Sequence, residues 1–371
     1  MFDKKFVYSF RVAILGDTSY GECCVDGVAA EHVGADSVIH FGDTCFSPTE
    51  QLPVLYIFTR SESLDINDLT QRIDTDILRK EGANTEKKVA IFYDVHYHWT
   101  FMSSMASKLE SLNNIVICHP PCMNTENEQI KKVSKDKICD SVNDQTLSLR
   151  CGRLVPDILI DTLESDCDAE DLEDSGQHKW TILYVGENEI YAQYLALTFP
   201  RALHMLYQPE KKHLVPSSTN VRRALMKRYF AIEKTKDAER IGILVGTLGV
   251  ANYCDMIDKC RDTIKRAGKR AYTFLVGKPN APKLANFPEI DVFVIVACPL
   301  NSIELAVGNI SEGRDRSGKD FLHLIITPFE LDVALNPKRK WINHGFKANY
   351  RAILPGTYSG YYIPNLCVTF K

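Results

Sequence analysis

The chain has 371 residues, 45% of them hydrophobic and 25% charged, which is ordinary for a globular protein that buries a sizeable core. Its formal net charge of −4 argues against the strong positive field of a nucleic-acid-binding or membrane-surface protein. No apolar run in the sequence approaches the ~20 residues of a membrane-spanning helix. Residues 1–15 lack the small-residue cleavage site of a secretory signal, so we expect a cytoplasmic protein. The length of the chain suggests two or three domains.

Short apolar runs alternate with helical stretches along the chain. The first two runs, 11–16 and 37–42, flank residues 25–35, which suit a helix. Further runs follow at 89–93, 115–118, 181–186, 241–246, 271–277, 292–298 and 321–326. Continuous apolar strands that alternate with helices are typical of parallel sheets in α/β units.

The grouping of these runs predicts three similar α/β domains at residues 1–87, 88–210 and 211–371, each with a small parallel sheet of the four-stranded type. Residues 218–234 carry apolar side chains at helical spacing, so we predict a helix that connects the second domain to the third. The basic residues of this helix are predicted to form a solvated face: Arg222, Arg223, Lys227 and Arg228.

Two stretches of the second domain are predicted to be loops. Residues 161–174 are strongly acidic, which favours a solvated segment over a metal site. Residues 123–150 are polar and show only weak periodicity.

Three cysteines share one topological position. Cys24 follows the first apolar run, Cys45 follows the second, and Cys298 ends the run before Pro299. Ligands in open α/β sheets bind beyond the carboxyl ends of the strands. Cys24 and Cys45 are therefore expected to face one crevice, which Cys298 joins if the third domain folds back on the first. Three thiolates suit a [4Fe–4S] cluster with one open iron, or a zinc ion, but buried small apolar residues would show the same spacing.

Other candidate sites are weaker. The segment ICHPPC, residues 117–122, could supply half of a zinc site, but no second half with fitting spacing follows it. His96 and His98 are expected to pack or cap. Gly246 and Gly249 follow a predicted strand, yet the complete glycine pattern of a phosphate-binding loop is not present in the sequence.

The sequence segments around the three cysteines are specific enough to indicate a protein family. ILGDTSYGECCVD, IHFGDTCFSP, GKPNAPKLANFPEIDVFVIVACPLNS and ITPFELDVAL resemble the diphthamide-biosynthesis iron–sulfur proteins. The most similar member type is the second subunit of the eukaryotic 2-(3-amino-3-carboxypropyl)histidine synthase heterodimer. The resemblance runs from residue 11 to about residue 335, and the loops at 123–175 are unmatched.

This resemblance implies three α/β domains arranged as a triangle, with cysteines that point to the centre. It implies a [4Fe–4S] cluster held by Cys24, Cys45 and Cys298, and it leaves open whether Cys23 replaces its neighbour. It also implies a heterodimer with a paralogous catalytic subunit, which would bind S-adenosylmethionine.

The implied reaction transfers the 3-amino-3-carboxypropyl group of S-adenosylmethionine to a histidine of elongation factor 2 through radical chemistry. In this reaction the second subunit has an accessory role, because its cluster helps to reduce the catalytic cluster, with electrons from a donor protein. Two alternatives to this function are a structural partner subunit without a cluster and a zinc-binding α/β protein.

The sequence departs from the family pattern at two places. A strand and a helix normally precede the ILGDT strand, and here only about ten residues do, so we expect a first domain that is incomplete at its start, with a neighbouring strand edge exposed. Cys151, in LRCGRLVP, has a position like that of a middle-domain cysteine in the catalytic relatives. The residues around it are different, which favours an incidental role.

Overall fold

The described part of the chain folds around three main sheets, whose strands are mostly parallel. The computed structural model describes residues 11–16, 21–49, 52–79, 87–102, 114–121, 147–164, 180–307, 313–314, 320–321, 324–337, 339, 346–347, 350–354 and 365–369. The strands in chain order are β1 (Val38–Phe41), β2 (Val54–Phe58), β3 (Lys88–Tyr93), β4 (Ile115–Ile117), β5 (Leu147–Arg150), β6 (Arg153–Pro156), β7 (Trp180–Val185), β8 (Leu203–Gln208), β9 (His213–Pro216), β10 (Arg240–Val245), β11 (Arg270–Leu275), β12 (Val292–Val296), β13 (Gly313–Arg314), β14 (Asp320–Phe321), β15 (Leu324–Ile326) and β16 (Asn365–Thr369).

The strand orders confirm the predicted α/β class with parallel sheets, but only the third sheet has the predicted four strands, since the first has three and the second has five. The first sheet has the order β1-β2-β16, the second β4-β3-β7-β8-β9 and the third β11-β10-β12-β15. All neighbours in these sheets are parallel except β8 and β9, which are antiparallel. Two small antiparallel pairs, β5 with β6 and β13 with β14, lie outside the three sheets.

Helices connect the parallel strands, as this class of sheet requires. They are α1 (Gly27–His32), α2 (Ile66–Arg72), α3 (His98–Thr100), α4 (Asp157–Glu164), α5 (Glu189–Thr198), α6 (Ser218–Asp237), α7 (Tyr253–Arg266), α8 (Ala281–Leu284), α9 (Pro299–Val307), α10 (Pro328–Leu335) and α11 (Tyr350–Ile353). A π-helical turn, Ile73–Leu78, continues α2, and a 3₁₀ turn, Val95–Tyr97, precedes α3. Within the described part of the chain, none of these helices is both long enough and apolar enough to cross a membrane.

The first sheet differs from the sequence prediction. Residues 11–16 form no strand, and the side chains of Val12 and Ile14 are 85% and 94% exposed, so the strand prediction there is wrong. An apolar run shows a preference for burial, but a strand also needs a paired neighbour. Among the described residues, β1 pairs with β2 alone and lies at the edge of its sheet.

The other edge of the first sheet is formed by the end of the chain. β16 pairs with β2 in parallel register, with Asn365 opposite Val54, although its residues fall in the range predicted for the third domain. β9 likewise extends the second sheet past residue 210. That the first domain is incomplete at its start stays a prediction.

The connecting helix is confirmed, but one of its basic residues is not solvated. α6 contains the predicted segment, and Arg228 on this helix is buried, so the prediction of a solvated Arg228 is wrong. The reason is a distant carboxylate: Arg228 Nε donates to Glu330 Oε1 at 2.6 Å, and Nη2 donates to Oε2 at 2.6 Å.

The two predicted loops of the second domain lie largely outside the described residues. Residues 161–164 belong to α4, and residues 165–174 fall outside the described part. In the polar stretch, residues 147–150 form β5, and residues 123–146 fall outside the described part.

One large core joins the second and third sheets and includes two of the predicted site cysteines. Phe92 and Trp180 from the second sheet, and Val294 from the third, belong to the same contiguous cluster of buried residues as Cys24 and Cys298. Cys24 and Cys298 therefore lie within this shared core, and burial there removes their thiols from bulk water.

Candidate metal centre

The loop before α1 turns sharply at the adjacent cysteines. The Cys24 N–H donates to the Gly21 carbonyl at 2.9 Å, which closes a tight turn, and the Asp26 side chain accepts from Ala29 N–H at 2.9 Å and caps α1. These two constraints fix the backbone on both sides of Cys23 and Cys24. Both side chains of the vicinal pair are thus held beside the same small volume.

Cys45 lies in the loop that follows the carboxyl end of β1. Gly42 has φ +93°, a left-handed conformation that glycine adopts without strain, and it turns the chain immediately after the strand. The Cys45 N–H then donates to the Cys23 carbonyl at 3.1 Å. This backbone bond ties the Cys45 loop to the loop that carries the vicinal pair.

Cys298 is held by the junction between β12 and α9. It follows the strand, Pro299 begins the helix, and the Ser302 N–H donates to the Cys298 carbonyl at 2.9 Å. The Asn301 N–H donates to Cys298 Sγ at 3.4 Å. A backbone donor at a helix N-terminus stabilises negative charge on this sulfur.

Four thiols converge at this point. Cys23 Sγ lies 3.7 Å from Cys298 Sγ, Cys24 Sγ lies 4.0 Å from Cys45 Sγ, and all four sulfurs lie within 4.8 Å of one another. Cys24 and Cys298 are buried, and Cys23 and Cys45 are half-buried. The structure therefore brings the three predicted cysteines together and adds Cys23, so both members of the vicinal pair face the centre.

Close contacts at two glycines hold the cysteine loop before α1 against the chain around residues 249 and 301. A Cβ on Gly21 would lie 2.1 Å from Asn301 Nδ2, and a Cβ on Gly249 would lie 3.1 Å from the Val25 carbonyl. Glycine at both positions permits an approach that a side chain would obstruct. This contact brings Cys298 beside the cysteines of the first domain.

Hydrogen bonds among the thiols shift the pKa values of Cys23, Cys24 and Cys45 in different directions. Hydrogen bonds from the other thiols, first Cys23, lower the pKa of Cys45 well below its usual value because they stabilise its thiolate. The pKa of Cys23 is raised, first through its hydrogen bond with Cys24. For Cys24, the bond with Cys23 lowers the pKa, but bonds with Cys298 and Cys45, together with burial, raise it overall. A bound cation would let more than one of these thiols ionise together.

A cavity of about 60 Å³ adjoins the thiols on the side of the second domain. Cys45 and Cys151 both line it, and so do the side chains of Arg150 and Lys347. Cys151 has φ +50° in the β5–β6 turn, and its thiol lies 3.4 Å from Thr198 Oγ1. Cys151 is therefore near the centre without belonging to the converging group.

The weaker candidate ligands take part in a different contact. Tyr93 Oη lies 3.0 Å from His98 Nδ1 and 2.7 Å from His119 Nδ1, and burial lowers the pKa of these histidines to about 3 and about 4. His96 lies 3.5 Å from carboxylate oxygens of both Asp43 and Asp94. These contacts agree with the expectation that His96 and His98 pack or cap.

Comparison with known proteins gives the family. The family model described as "Putative diphthamide synthesis protein" matches residues 2–345. The chain belongs to the diphthamide synthesis protein family. The resemblance predicted from the sequence is therefore confirmed, and curated relatives named 2-(3-amino-3-carboxypropyl)histidine synthase subunit 2 agree with it.

Three relatives of that name show the extent of the similarity. The protein from Danio rerio is 34% identical over 347 residues, which cover 93% of this chain and 62% of the relative. The protein from Gallus gallus is 35% identical over 343 residues, with 92% and 62% covered. The protein from Schizosaccharomyces pombe is 29% identical over 346 residues, with 93% and 59% covered. The chain thus spans about three fifths of the length of these relatives.

Solved structures of this diphthamide synthesis family show the same fold at low identity. The crystal structure titled Dph2 from Pyrococcus horikoshii with 4Fe-4S cluster has a TM-score of 0.53 and 18% identity, and covers 90% of this chain and 79% of that chain. A second crystal structure of Dph2 from the same organism has a TM-score of 0.52 and 18% identity, with 90% and 81% covered.

The donor set of this family member suits an iron–sulfur cluster. Cysteine thiolates are the usual ligands of [4Fe–4S] clusters, and four of them converge here beside a backbone N–H donor to sulfur. A cavity of about 60 Å³ lies beside Cys45, and a smaller one of about 10 Å³ is lined by Cys23, Cys24 and Cys45. The sequence left open whether Cys23 is a ligand. The adjacency of Cys23 to Cys24 was the only feature of the sequence that pointed to it.

Proposed function

We propose that this chain is an accessory iron–sulfur subunit of the heterodimeric transferase that performs the first step of diphthamide biosynthesis. That enzyme moves the 3-amino-3-carboxypropyl group of S-adenosylmethionine to a histidine of elongation factor 2. The observation that carries the proposal is the convergence of four cysteine sulfurs within 4.8 Å of one another, in a chain of this family.

Cys24, Cys45 and Cys298 are the proposed ligands, and Cys23 supplies a fourth thiol. A [4Fe–4S] cluster, when bound, supplies one-electron transfer at a potential that ligation and exposure set. If all four thiolates bound the cluster, each would ligate one iron, and no iron would stay open for the methionine part of S-adenosylmethionine. The four-thiol set therefore favours an accessory role, in which the partner subunit binds the cosubstrate.

The protein around the thiols would control the potential of the group that they hold. Cys298 is fully buried, and the Asn301 N–H donates to its sulfur, which favours the negatively charged thiolate. Ser47 Oγ lies 3.2 Å from Cys45 Sγ and is a second polar neighbour. The half-buried positions of Cys23 and Cys45 leave a side from which electrons can enter and leave.

The triangular arrangement of domains 1–87, 88–210 and 211–371 is part of the proposal. Pairwise contacts support it: Gly21 lies against Asn301, and the β5–β6 turn lies against the Cys45 carbonyl. The Phe346 N–H donates to the Leu197 carbonyl at 3.2 Å, which links the last domain to the second. Each domain thus touches the other two around the thiols.

The proposed partner is the paralogous catalytic subunit. The relatives are named as subunit 2 of a synthase, which implies a further subunit. The first domain offers apolar side chains for it, because Ile39 and Phe41 on the edge strand β1 are 55% and 66% exposed, and Val33 after α1 is exposed as well. An interface of standard size would bury about 1,600 Å². Elongation factor 2 would be the substrate and a donor protein would supply electrons, in the cytoplasm.

The test separates an electron relay from a catalyst and from a purely structural partner. The heterodimer is assembled with Cys23, Cys24, Cys45 and Cys298 of this chain changed to serine, and Cys254→Ser, at an exposed cysteine, is the control. Iron and sulfide are measured in the isolated chain, and transfer is measured with dithionite and with a protein electron donor.

We expect the fourfold variant to lose iron and sulfide, to keep transfer with dithionite and to lose it with the protein donor. The same substitutions in the partner's cluster should abolish transfer under both conditions. An assembled fourfold variant that is inactive with dithionite would show direct catalysis by this subunit. A variant as active as Cys254→Ser with the protein donor would leave only a structural role.

A further inference from the structure

The sulfurs of Cys23, Cys24, Cys45 and Cys298 lie close enough together to surround a single ion. The two opposite pairs are 3.7 Å and 4.0 Å apart, and no sulfur lies more than 4.8 Å from another. Zinc binds thiolate sulfur at ~2.3 Å in tetrahedral sites, so the sulfurs of a four-thiolate zinc site lie ~3.8 Å apart. The Cys23–Cys298 and Cys24–Cys45 sulfur distances of 3.7 Å and 4.0 Å are close to that value.

The spacing is narrower than a cubane cluster requires. A [4Fe–4S] core has four separate iron corners, each with its own thiolate, so its cysteine sulfurs stand farther apart than sulfurs that share one ion. The four thiols must therefore move outwards to hold the cluster. They need move little to enclose a single tetrahedral ion.

The surroundings of the thiols also suit a structural zinc site. The ligands come from three chain segments, which the Cys45 N–H bond to the Cys23 carbonyl and the Gly21–Asn301 contact hold together. The Asn301 N–H donates to Cys298 Sγ, and such second-shell donors orient and stabilise thiolate ligands. Two thiols are half-buried, which leaves a path for an ion to enter.

We propose that these four thiols also bind one zinc ion, and that zinc bound there blocks assembly of the iron–sulfur cluster. Four S–Zn bonds form, each thiol that carries a proton releases it to solvent, and no electron is transferred. The zinc site stands on the sulfur geometry alone. The competition with the cluster rests on the proposed function, because it requires the same thiols to serve both groups.

The experiment uses the full chain, stripped of metal by a chelator under anaerobic reduction. Cobalt(II) is titrated into it as a spectroscopic substitute for zinc, and zinc is then added to displace the cobalt. We expect one cobalt per chain, with the intense ligand-field bands of a tetrahedral thiolate site, and stoichiometric displacement by zinc. Cys23→Ser and Cys298→Ser should each weaken cobalt binding by about a hundredfold or more, and Cys254→Ser should leave it unchanged.

Because a ligand variant can misfold, X-ray absorption of the zinc-loaded unaltered chain provides a second readout, with four sulfur neighbours at ~2.3 Å expected. Zinc-loaded and stripped chains are then compared for uptake of iron and sulfide, and we expect uptake only after zinc is chelated. A chain that assembles the cluster but binds no zinc or cobalt at the thiols overturns this inference and leaves the proposed function standing.

The remaining outcomes are also distinct. A chain that binds zinc through four sulfurs and never takes up iron and sulfide supports the zinc site but contradicts the proposed function and the competition. Equal uptake of iron and sulfide by zinc-loaded and stripped chains contradicts the competition. Binding of neither zinc nor the cluster contradicts both proposals.

Discussion

The buried ion pair between α6 and α10 should control the stability of the third domain. Arg228 and Glu330 have side chains only 4% and 0% exposed, and two N–H···O bonds of 2.6 Å join them. Arg228 Nη2 also donates to the Ile325 carbonyl at 2.9 Å. Arg228→Met would keep most of the side-chain volume but leave Glu330 as an uncompensated buried carboxylate.

Loss of one partner of a buried ion pair costs ~3–5 kcal/mol, a large fraction of the ~5–15 kcal/mol that stabilises a domain. Native-state hydrogen exchange of the α6 and α10 amides is the assay, because a protein of several domains need not unfold in one step. Each 1.4 kcal/mol is about a factor of ten, so we expect exchange to be faster by roughly 10²–10⁴-fold.

Two further variants test the cause. Arg223→Met changes an exposed arginine on the same helix and should alter stability by less than ~0.5 kcal/mol. Arg228→Met combined with Glu330→Met should recover most of the loss. About 1 kcal/mol should stay lost, because Glu330 also accepts from the Thr327 N–H in the capping box of α10. Equal exchange in Arg228→Met and Arg223→Met would refute this reasoning.

Two more predictions concern the contacts around the thiols. Gly21→Ala should destabilise the chain by ~1–3 kcal/mol and reduce metal retention, because its Cβ would overlap Asn301. The control Gly16→Ala meets no atom within 4 Å and should change neither stability nor metal retention. Equal melting temperatures of the two variants would contradict this prediction. Hydrogen bonds with Asp43 and, to a smaller extent, with Asp94 raise the pKa of His96 from 6.5 to about 9. Protonated His96 therefore stabilises the fold fully below pH 6.5, and this stabilisation is lost as the pH rises through 9. The difference in unfolding free energy between the unaltered chain and His96→Asn should shrink over that interval, and a difference independent of pH would show that the ion pairs are not formed.

The sequence predicted most of the sheet-forming runs because buried parallel strands are continuously apolar. β3, β7, β10 and β12 are fully or almost fully buried and lie within one residue or two of the predicted positions. Residues 11–16 also contain an apolar run, but they pair with no strand in the part of the chain that the structure describes, so composition alone was misleading there. The parallel pairing of β16 with β2 joins residues about 300 positions apart, and no local pattern reveals it.

The candidate site was predictable in its position and less so in its membership. Strand-end positions indicated Cys24, Cys45 and Cys298, because parallel strands end at one edge of a sheet. The inclusion of Cys23 depends on the turn closed by Gly21 and on the bond between the Cys45 N–H and the Cys23 carbonyl. Spacing in the sequence does not encode these two contacts. The burial of Arg228 was missed for a similar reason, since its partner lies about 100 residues away.

The central claim is that four thiolates of this chain hold an electron-transfer cluster that leaves no iron open to the cosubstrate. The most direct measurement is the electron paramagnetic resonance spectrum of the isolated chain, reconstituted with iron and sulfide and reduced, before and after addition of S-adenosylmethionine. We predict the signal of a reduced [4Fe–4S] cluster that S-adenosylmethionine leaves unchanged. A reconstituted chain without that signal, or a signal that shifts when S-adenosylmethionine is added, would contradict the account.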